Sequence, residues 1–249
     1  MNMKTAFKDY FSGHASDYAR YRPDYPTELF GWLASQCAQH DIAWDCAAGS
    51  GQSALQLAKY FSTVIASDAS LAQISSSHSD RIQPLVATAE HSALATASMD
   101  LVTVAQALHW FDLPAFVAEL QRVLKPGGIV AVWSYNLLQV DSQVDEAIQS
   151  FYADTLGDYW PFERKMVENG YADVQLPFEE IAAPVFQMHK QWDLRQLIGY
   201  LSTWSAVKQF EIHQGFNPLE TLYEELRILW LDESVKRVVW PLTLRAWRT

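Results

Sequence analysis

Residues 42–68 read IAWDCAAGSGQSALQLAKYFSTVIASD, and this stretch decides the fold. An apolar strand runs into Asp45, and a small-residue turn, Ala47-Ala48-Gly49-Ser50-Gly51, follows it. A helix with the apolar face Ala54, Leu55, Ala58 and Phe61 comes next, then a second strand, Thr63 to Ser67, that ends on Asp68. Strand, glycine-bearing turn, helix, strand and terminal acid make one nucleotide-binding βαβ unit. Glycine permits positive φ and lets the backbone come close to a ligand. The free N–H groups of the new helix face that ligand. A carboxylate closing the second strand can accept hydrogen bonds from both ribose hydroxyls.

The unit alone leaves the ligand open. Gly49, Gly51 and Ala54 fit G-x-G-x-x-A, which allows a nicotinamide dinucleotide. Asp45 opposes it, because a pyrophosphate at that turn would meet a like charge. A ligand with an ammonium group there is favoured, and S-adenosylmethionine brings adenosine for Asp68 and an ammonium for the turn. A tight βα turn that merely packs a helix on a strand explains the glycines but not the two acids.

Working outward, the periodicity predicts strands at 42–46, 63–68, 82–87, 100–105 and 129–135, with helices at 51–61, 70–78 and from Pro114 (AFVAELQRVL). Pro84 suggests that the third strand lies at a sheet edge. The continuous apolar run Asp100–Ala105 reads as a strand buried on both faces. Repeated βα units predict a doubly wound, Rossmann-like α/β sheet with right-handed crossovers. Ligands then bind at the carboxyl ends of the strands, where Ala47–Gly51, Asp68–Ser70, Thr88–Glu90 and Gln106–Trp110 converge.

Past residue 140 the pattern changes. Helices are expected at 141–156, 162–169 (closed by Gly170), 194–203 and 218–231, and strands at 185–192 and 235–247. A last strand entered by a short reversal from a helix runs antiparallel to the rest, and Pro241 within it predicts a bulge or bend. The expected sheet therefore has seven strands. The segments 141–176 and 194–233 exceed what the sheet needs and read as a helical cap over the crevice, with residues 1–27 as an N-terminal lid. No linker or internal repeat divides residues 1–249, which read as one domain.

Hydrophobic residues make up 49% of the 249, enough for a large core. A net charge of −11 and a pI near 5.0 disfavour a nucleic-acid substrate. The two cysteines, Cys37 and Cys46, give no disulfide framework and read as reduced and buried. The start lacks the apolar stretch of a secretion signal, and no apolar run approaches the roughly 20 residues of a membrane span. A cytoplasmic protein, monomer or homodimer, with no membrane or nucleic-acid partner is expected. Of ten tryptophans, six fall in residues 160–249, where they serve either the core or an aromatic substrate cavity. The histidines show no metal-ligand spacing, so no metal is expected.

The segments FSGHASDYARYRPDYP, WDCAAGSGQSALQLA, VIASDAS, ATAEHSAL, MDLVTVAQALHWFD, RVLKPGGIVAVW, YLSTWSAV and WPLTLRAWR resemble class I S-adenosylmethionine-dependent methyltransferases of type 11, nearest the small-molecule enzymes of the trans-aconitate kind. The resemblance spans almost the whole chain, and LHWFD followed by RVLKPGG is its specific part. It implies that Asp45 and the turn from Ala47 through Gly49 to Gly51 hold the methionine half of the cofactor. Asp68 would bind the ribose, with Ala69 and Ser70 beside the adenine, and Ala89 and Glu90 would form the adenine-side loop. Gln106 and Ala107 would lie under the sulfonium, and Tyr18 and Arg22 would belong to a covering segment. Two positions depart from the pattern. The first glycine of D-x-G-x-G-x-G is Ala47, and Thr88 stands where an acid usually precedes Ala-Glu.

Methyl transfer from a sulfonium needs alignment and exclusion of water more than acid–base chemistry. For a hydroxyl acceptor His109 is the first candidate base, with local packing as its alternative role, and His14 is the second. Trp110 and Tyr135 can flank a sulfonium by cation–π attraction, whereas Trp133 reads as core. Arg22 can pair with a carboxylate or be a surface arginine. The expected activity is transfer of a methyl group to a carboxylate or hydroxyl oxygen of a small metabolite. An NAD(P)-dependent oxidoreductase and a non-catalytic cofactor-binding module are the alternatives.

Overall fold

The computed structural model describes residues 21–74, 79–230 and 234–249. Five parallel strands follow the expected plan: β1 (Ile42–Cys46), β2 (Thr63–Asp68), β3 (Ile82–Val86), β4 (Met99–Ala105) and β5 (Leu124–Tyr135). Three more complete the sheet: β6 (Glu179–Ile181), β7 (Phe186–Trp192) and β8 (Lys236–Arg248). The order is β3-β2-β1-β4-β5-β8, and β8 runs antiparallel to β5. Both β6 and β7 pair with the outer edge of β8, β6 opposite 246–248 and β7 opposite 236–242. Eight strands thus occupy seven positions, because the last position is interrupted at residues 182–185. Pro184 lies in that gap, where it has no N–H to give a ladder.

The edge position of β3 follows from Pro84, and β4 is buried along both faces as its apolar run requires. The expected bulge at Pro241 is absent: the β7–β8 register runs unbroken through Gln187 and Pro241. The reason lies on the opposite edge. Val239 exchanges both backbone hydrogen bonds with Gln139, so Pro241, two residues on, turns its nitrogen to the same side. There β5 pairing has already ended at Tyr135–Leu242, and no partner strand is deprived of a donor.

Alternation along β5 sends its side chains into two layers. Ile129, Ala131, Trp133 and Tyr135 join one core with Leu29, Phe30 and Leu33 of α1 (Thr27–Gln36) and Ala54 and Leu57 of α2 (Gln52–Leu57). Ile74 of the short α3 (Leu71–Ile74) joins it too. Val130 and Val132 pack instead on Phe116, Leu120 and Val123 of α4 (Leu113–Val123). Asp112 caps α4 by accepting from the Ala115 N–H, so the helix starts one residue before Pro114. The expected helix 51–61 is shorter: past Leu57 the chain tightens into i→i+3 turns that bury Phe61.

Beyond β5, α5 (Ser142–Ser150) continues as a wider π turn over Phe151–Thr155. A 3₁₀ turn, Phe162–Arg164, leads into α6 (Lys165–Glu168), which Gly170 closes at φ 59°. Then come α7 (Leu194–Leu201), α8 (Ser205–Gln214) and α9 (Leu219–Trp230). Helix α8 is not among the expected helices; it has no side-chain cap and follows α7 after only three residues. Val144, Ile148, Leu197, Leu201, Leu222 and Leu226 extend the first core layer. Trp44, Trp133, Trp230, Trp240 and Trp247 are fully buried, the core role for tryptophan. Cys37 and Cys46 are buried and unbridged. No helix among the described residues is long and apolar enough to cross a membrane.

Candidate active site

A cavity of about 420 Å³ opens at the carboxyl ends of β1, β2, β3 and β4, within the size range of small-molecule sites. Its floor is built by two strand-end acids. Asp45 is fully buried and stands in register beside Thr103 of β4, whose hydroxyl donates to Asp45 Oδ1 at 2.9 Å. The other carboxylate oxygen, Oδ2, is buried with no hydrogen-bond partner among the described residues. Burial, with the charge of Asp68 adding, pushes the Asp45 carboxyl up to about 7, against the Thr103 hydrogen bond and the nearby Ala54 N–H dipole, which lower it. A buried carboxylate oxygen left without a donor, beside a cavity, suits a ligand that brings N–H groups or positive charge.

Asp68 has both oxygens oriented by backbone: Oδ2 accepts from Gly49 N–H at 2.9 Å and Oδ1 from Ser70 N–H at 2.8 Å. The turn between β1 and α2 takes left-handed φ at three alternate positions, Ala47 (55°), Gly49 (54°) and Gly51 (82°). Glycine does this freely, whereas an alanine is strained there by roughly 1–2 kcal/mol. The replacement at Ala47 therefore keeps the glycine conformation at a conformational cost. Gln106 is strained likewise, at φ 56°. Its N–H donates to Trp133 O and its side-chain amide to Tyr135 O, both at 2.9 Å, which holds the end of β4 against β5. Strained residues of this kind cluster at functional sites.

Of the residues singled out from sequence, Asp45, Ala47, Gly49, Asp68, Ala69, Ser70, Ala89, Glu90, Gln106, Ala107 and Trp110 all line this one cavity. Gly51 is not in the wall and serves as the N-cap of α2. Arg22 is also outside it. Its guanidinium donates to the Tyr135 hydroxyl at 2.8 Å and lies over the Tyr135 and Tyr200 rings. His109 is turned away as well: Nδ1 is 3.1 Å from the Tyr171 hydroxyl, and the ring packs on Trp110. Burial, aided by Arg164, pulls its pKa down to about 3. A neutral imidazole that weak is a poor proton acceptor at pH 7, and its hydrogen bond to Tyr171 fits the packing role. His14 and Tyr18 lie outside the described residues.

The wall also contains residues not anticipated from sequence: Tyr25, Gln52, Ser53, Gln73, Phe111 and Glu163. Gln52 and Ser53 occupy the first turn of α2, where ligand-facing N–H groups are expected, and Phe111 sits within the LHWFD segment. Glu163 comes from the 141–176 segment and carries no local sequence signal. The loop with Ala89 and Glu90 is fixed from behind. Ser92 donates both its N–H and its hydroxyl to the buried Glu119, which Arg122 also grips. Among the described residues the wall holds four carboxylates, Asp45, Asp68, Glu90 and Glu163, and no lysine, arginine or histidine. Nor do the described residues group three or more His, Cys, Asp or Glu side chains in a way that could hold a metal.

Residues 44–132 match the family model of a methyltransferase domain. A methyltransferase of Dictyostelium discoideum is 37% identical over 211 residues, covering 83% of this chain and 80% of its own. The chain belongs to the class I S-adenosylmethionine-dependent methyltransferases. The structure of a type II methyltransferase from Anaeromyxobacter dehalogenans superposes with a TM-score of 0.86 at 41% identity, over 92% of this chain and 98% of that one. A Schizosaccharomyces pombe methyltransferase is 24% identical over 92% of this chain and 88% of its own. The methyltransferase is therefore an enzyme that uses S-adenosylmethionine, and its orphaned Asp45 oxygen and backbone-oriented Asp68 fit a cationic nucleoside of that kind. When bound, that cofactor supplies a methyl group already activated on a sulfonium.

Proposed function

We propose that the methyltransferase acts on an oxygen atom of a small metabolite, and on a hydroxyl ahead of a carboxylate. The acidic wall carries this reading. Beside a cofactor held by Asp45 and Asp68, an anionic acceptor would still approach Glu163, with no lysine, arginine or histidine among the described wall residues to offset it, an unfavourable encounter in a partly desolvated cleft. A hydroxyl meets that carboxylate as a hydrogen-bond donor. The charge pattern also weighs against the oxidoreductase alternative, since a pyrophosphate at the β1 turn would face Asp45.

On this reading Asp45 and Asp68 hold the two ends of the cofactor, and the strained turn from Ala47 to Gly51 brings backbone close to it. Gln106 and Ala107 form the floor beneath the methyl group, and Trp110 and Phe111 offer aromatic faces. Alignment of the reacting groups in such a cleft contributes on the order of 7–11 kcal/mol. The parts of residues 141–176 and 194–233 that pack over the first core layer form the cap that selects the acceptor.

The test is transfer of labelled methyl from adenosylmethionine to a metabolite extract, followed by mild base. Methyl esters release the label as methanol, whereas methyl ethers and methylamines keep it. Base-stable label in an ether supports the proposal; label confined to methylamines, or no transfer by a protein that binds the cofactor, refutes it.

A further inference from the structure

Resting on the reading of the cavity as the cofactor site, we propose that Glu163 makes the cleft discriminate between the charged donor and its neutral product. Adenosylmethionine and adenosylhomocysteine differ by one methyl group and one positive charge. Shape alone separates them weakly, whereas a facing carboxylate senses the charge directly.

Glu163 is suited to this by what it lacks. Each other acid of the wall is oriented by at least one hydrogen bond from the protein: Asp45 through Oδ1 from Thr103, Asp68 from Gly49 and Ser70, and Glu90 from the Asp112 N–H at 3.0 Å. The Glu163 carboxylate has no hydrogen bond or ion pair among the described residues, although it lines the cavity. Its basic neighbours are engaged elsewhere. Arg164 donates to the Tyr152 hydroxyl at 2.8 Å and to Asn136 Oδ1 at 2.9 Å, and Lys165 lies over the Phe162 ring. The turn Phe162–Arg164 packs against Leu108–Trp110, directly after Gln106 and Ala107. The carboxylate is thus held on the β4 side of the cleft, across from Asp68 on β2. A charge-lined cleft with low-dielectric walls raises the local concentration of the opposite charge, so product that has lost its charge is held less tightly.

Calorimetric dissociation constants for adenosylmethionine and adenosylhomocysteine test this in wild type, Glu163→Gln, Glu163→Lys and Asp158→Asn. Asp158 is an exposed acid outside the cavity wall and controls for net charge. The preference for adenosylmethionine over adenosylhomocysteine should fall about threefold to tenfold in Glu163→Gln, and further in Glu163→Lys, with Asp158→Asn like wild type. A ratio unchanged in both Glu163 variants, or shifted equally by Asp158→Asn, overturns the proposal. Wild-type protein that binds neither compound refutes instead the cofactor site on which it rests.

Discussion

Asp68 Oδ2 accepts the backbone N–H of Gly49 at 2.9 Å, so the acid that closes β2 also holds the turn that follows β1. The bond joins two chain segments into one rim. It aims the carboxylate while leaving lone pairs for a ligand, because each carboxylate oxygen accepts more than one hydrogen bond.

Replacing Asp68 should therefore act twice, through lost ligand contact and a loosened turn. Hydrogen bonds to a charged group contribute about 1.5–3 kcal/mol each. Asp68→Ala should weaken adenosylhomocysteine binding at least tenfold by calorimetry, and Asp68→Asn should fall between it and wild type. Equal affinity in Asp68→Ala and wild type would falsify the ribose assignment.

Ala47 holds φ 55° where glycine is unstrained. Ala47→Gly should relieve roughly 1–2 kcal/mol of backbone strain, offset by about 0.4–1 kcal/mol of extra unfolded-chain entropy. A net gain of about 0.5–1 kcal/mol should raise Tm by roughly 1–4 °C, measurable by scanning calorimetry. A lower Tm would show that the alanine methyl contributes packing that outweighs the strain.

The raised pKa of Asp45 sets a pH dependence with a definite sign. Its ordinary value is 3.8 and the folded protein holds it near 7. The stabilisation from keeping this acid neutral is whole below about pH 4 and is lost as pH rises through about 7. A ligand cation against Asp45 favours the ionised form, so binding below pH 7 should expel a proton. Adenosylhomocysteine affinity should then rise up to about tenfold per pH unit between pH 5.5 and 7, and binding heat at pH 6 should depend on the ionisation enthalpy of the buffer. Asp45→Asn should flatten both. A wild-type affinity independent of pH contradicts the placement of positive charge there.

Glu119 has the opposite sign. Arg122 first, then Ser92, hold its carboxyl down to about 2 from 4.5, against the cost of burial. Its contribution is present above about pH 4.5 and is lost as pH falls toward 2. With Arg122 partly exposed and screened, that contribution is on the order of 2 kcal/mol. Glu119→Gln should lower stability to urea at pH 7 and narrow the gap to wild type at pH 3. Because Glu119 anchors Ser92 behind Ala89 and Glu90, the variant should also raise the KM for the cofactor more than it lowers kcat.

The sheet was legible in the sequence because its signals are local. The alternation in IVAVWSY, the run Asp100–Ala105 and the acids Asp45 and Asp68 each carry their meaning within a few residues. The strand ends then brought eleven of the marked residues to one cavity, since parallel topology places all such ends on one rim. Legibility failed where the determinants are distant. The strand position shared by β6 and β7 depends on the length of β8, and Pro241 is tolerated because Gln139, far away in sequence, takes up Val239. His109 was drawn toward the cleft by its place after β4, but Tyr171, 62 residues on, holds its ring. Glu163 enters the wall through packing of the turn Phe162–Arg164 on Leu108–Trp110, which no local pattern encodes.

The most direct test of this cofactor site is a crystal structure of the complex with adenosylhomocysteine. The ribose hydroxyls are expected on Asp68, the amino-acid ammonium toward the buried Oδ2 edge of Asp45, and the adenine beside Ala89 and Glu90. Ligand density elsewhere, or a cleft left empty at saturating adenosylhomocysteine, would contradict it.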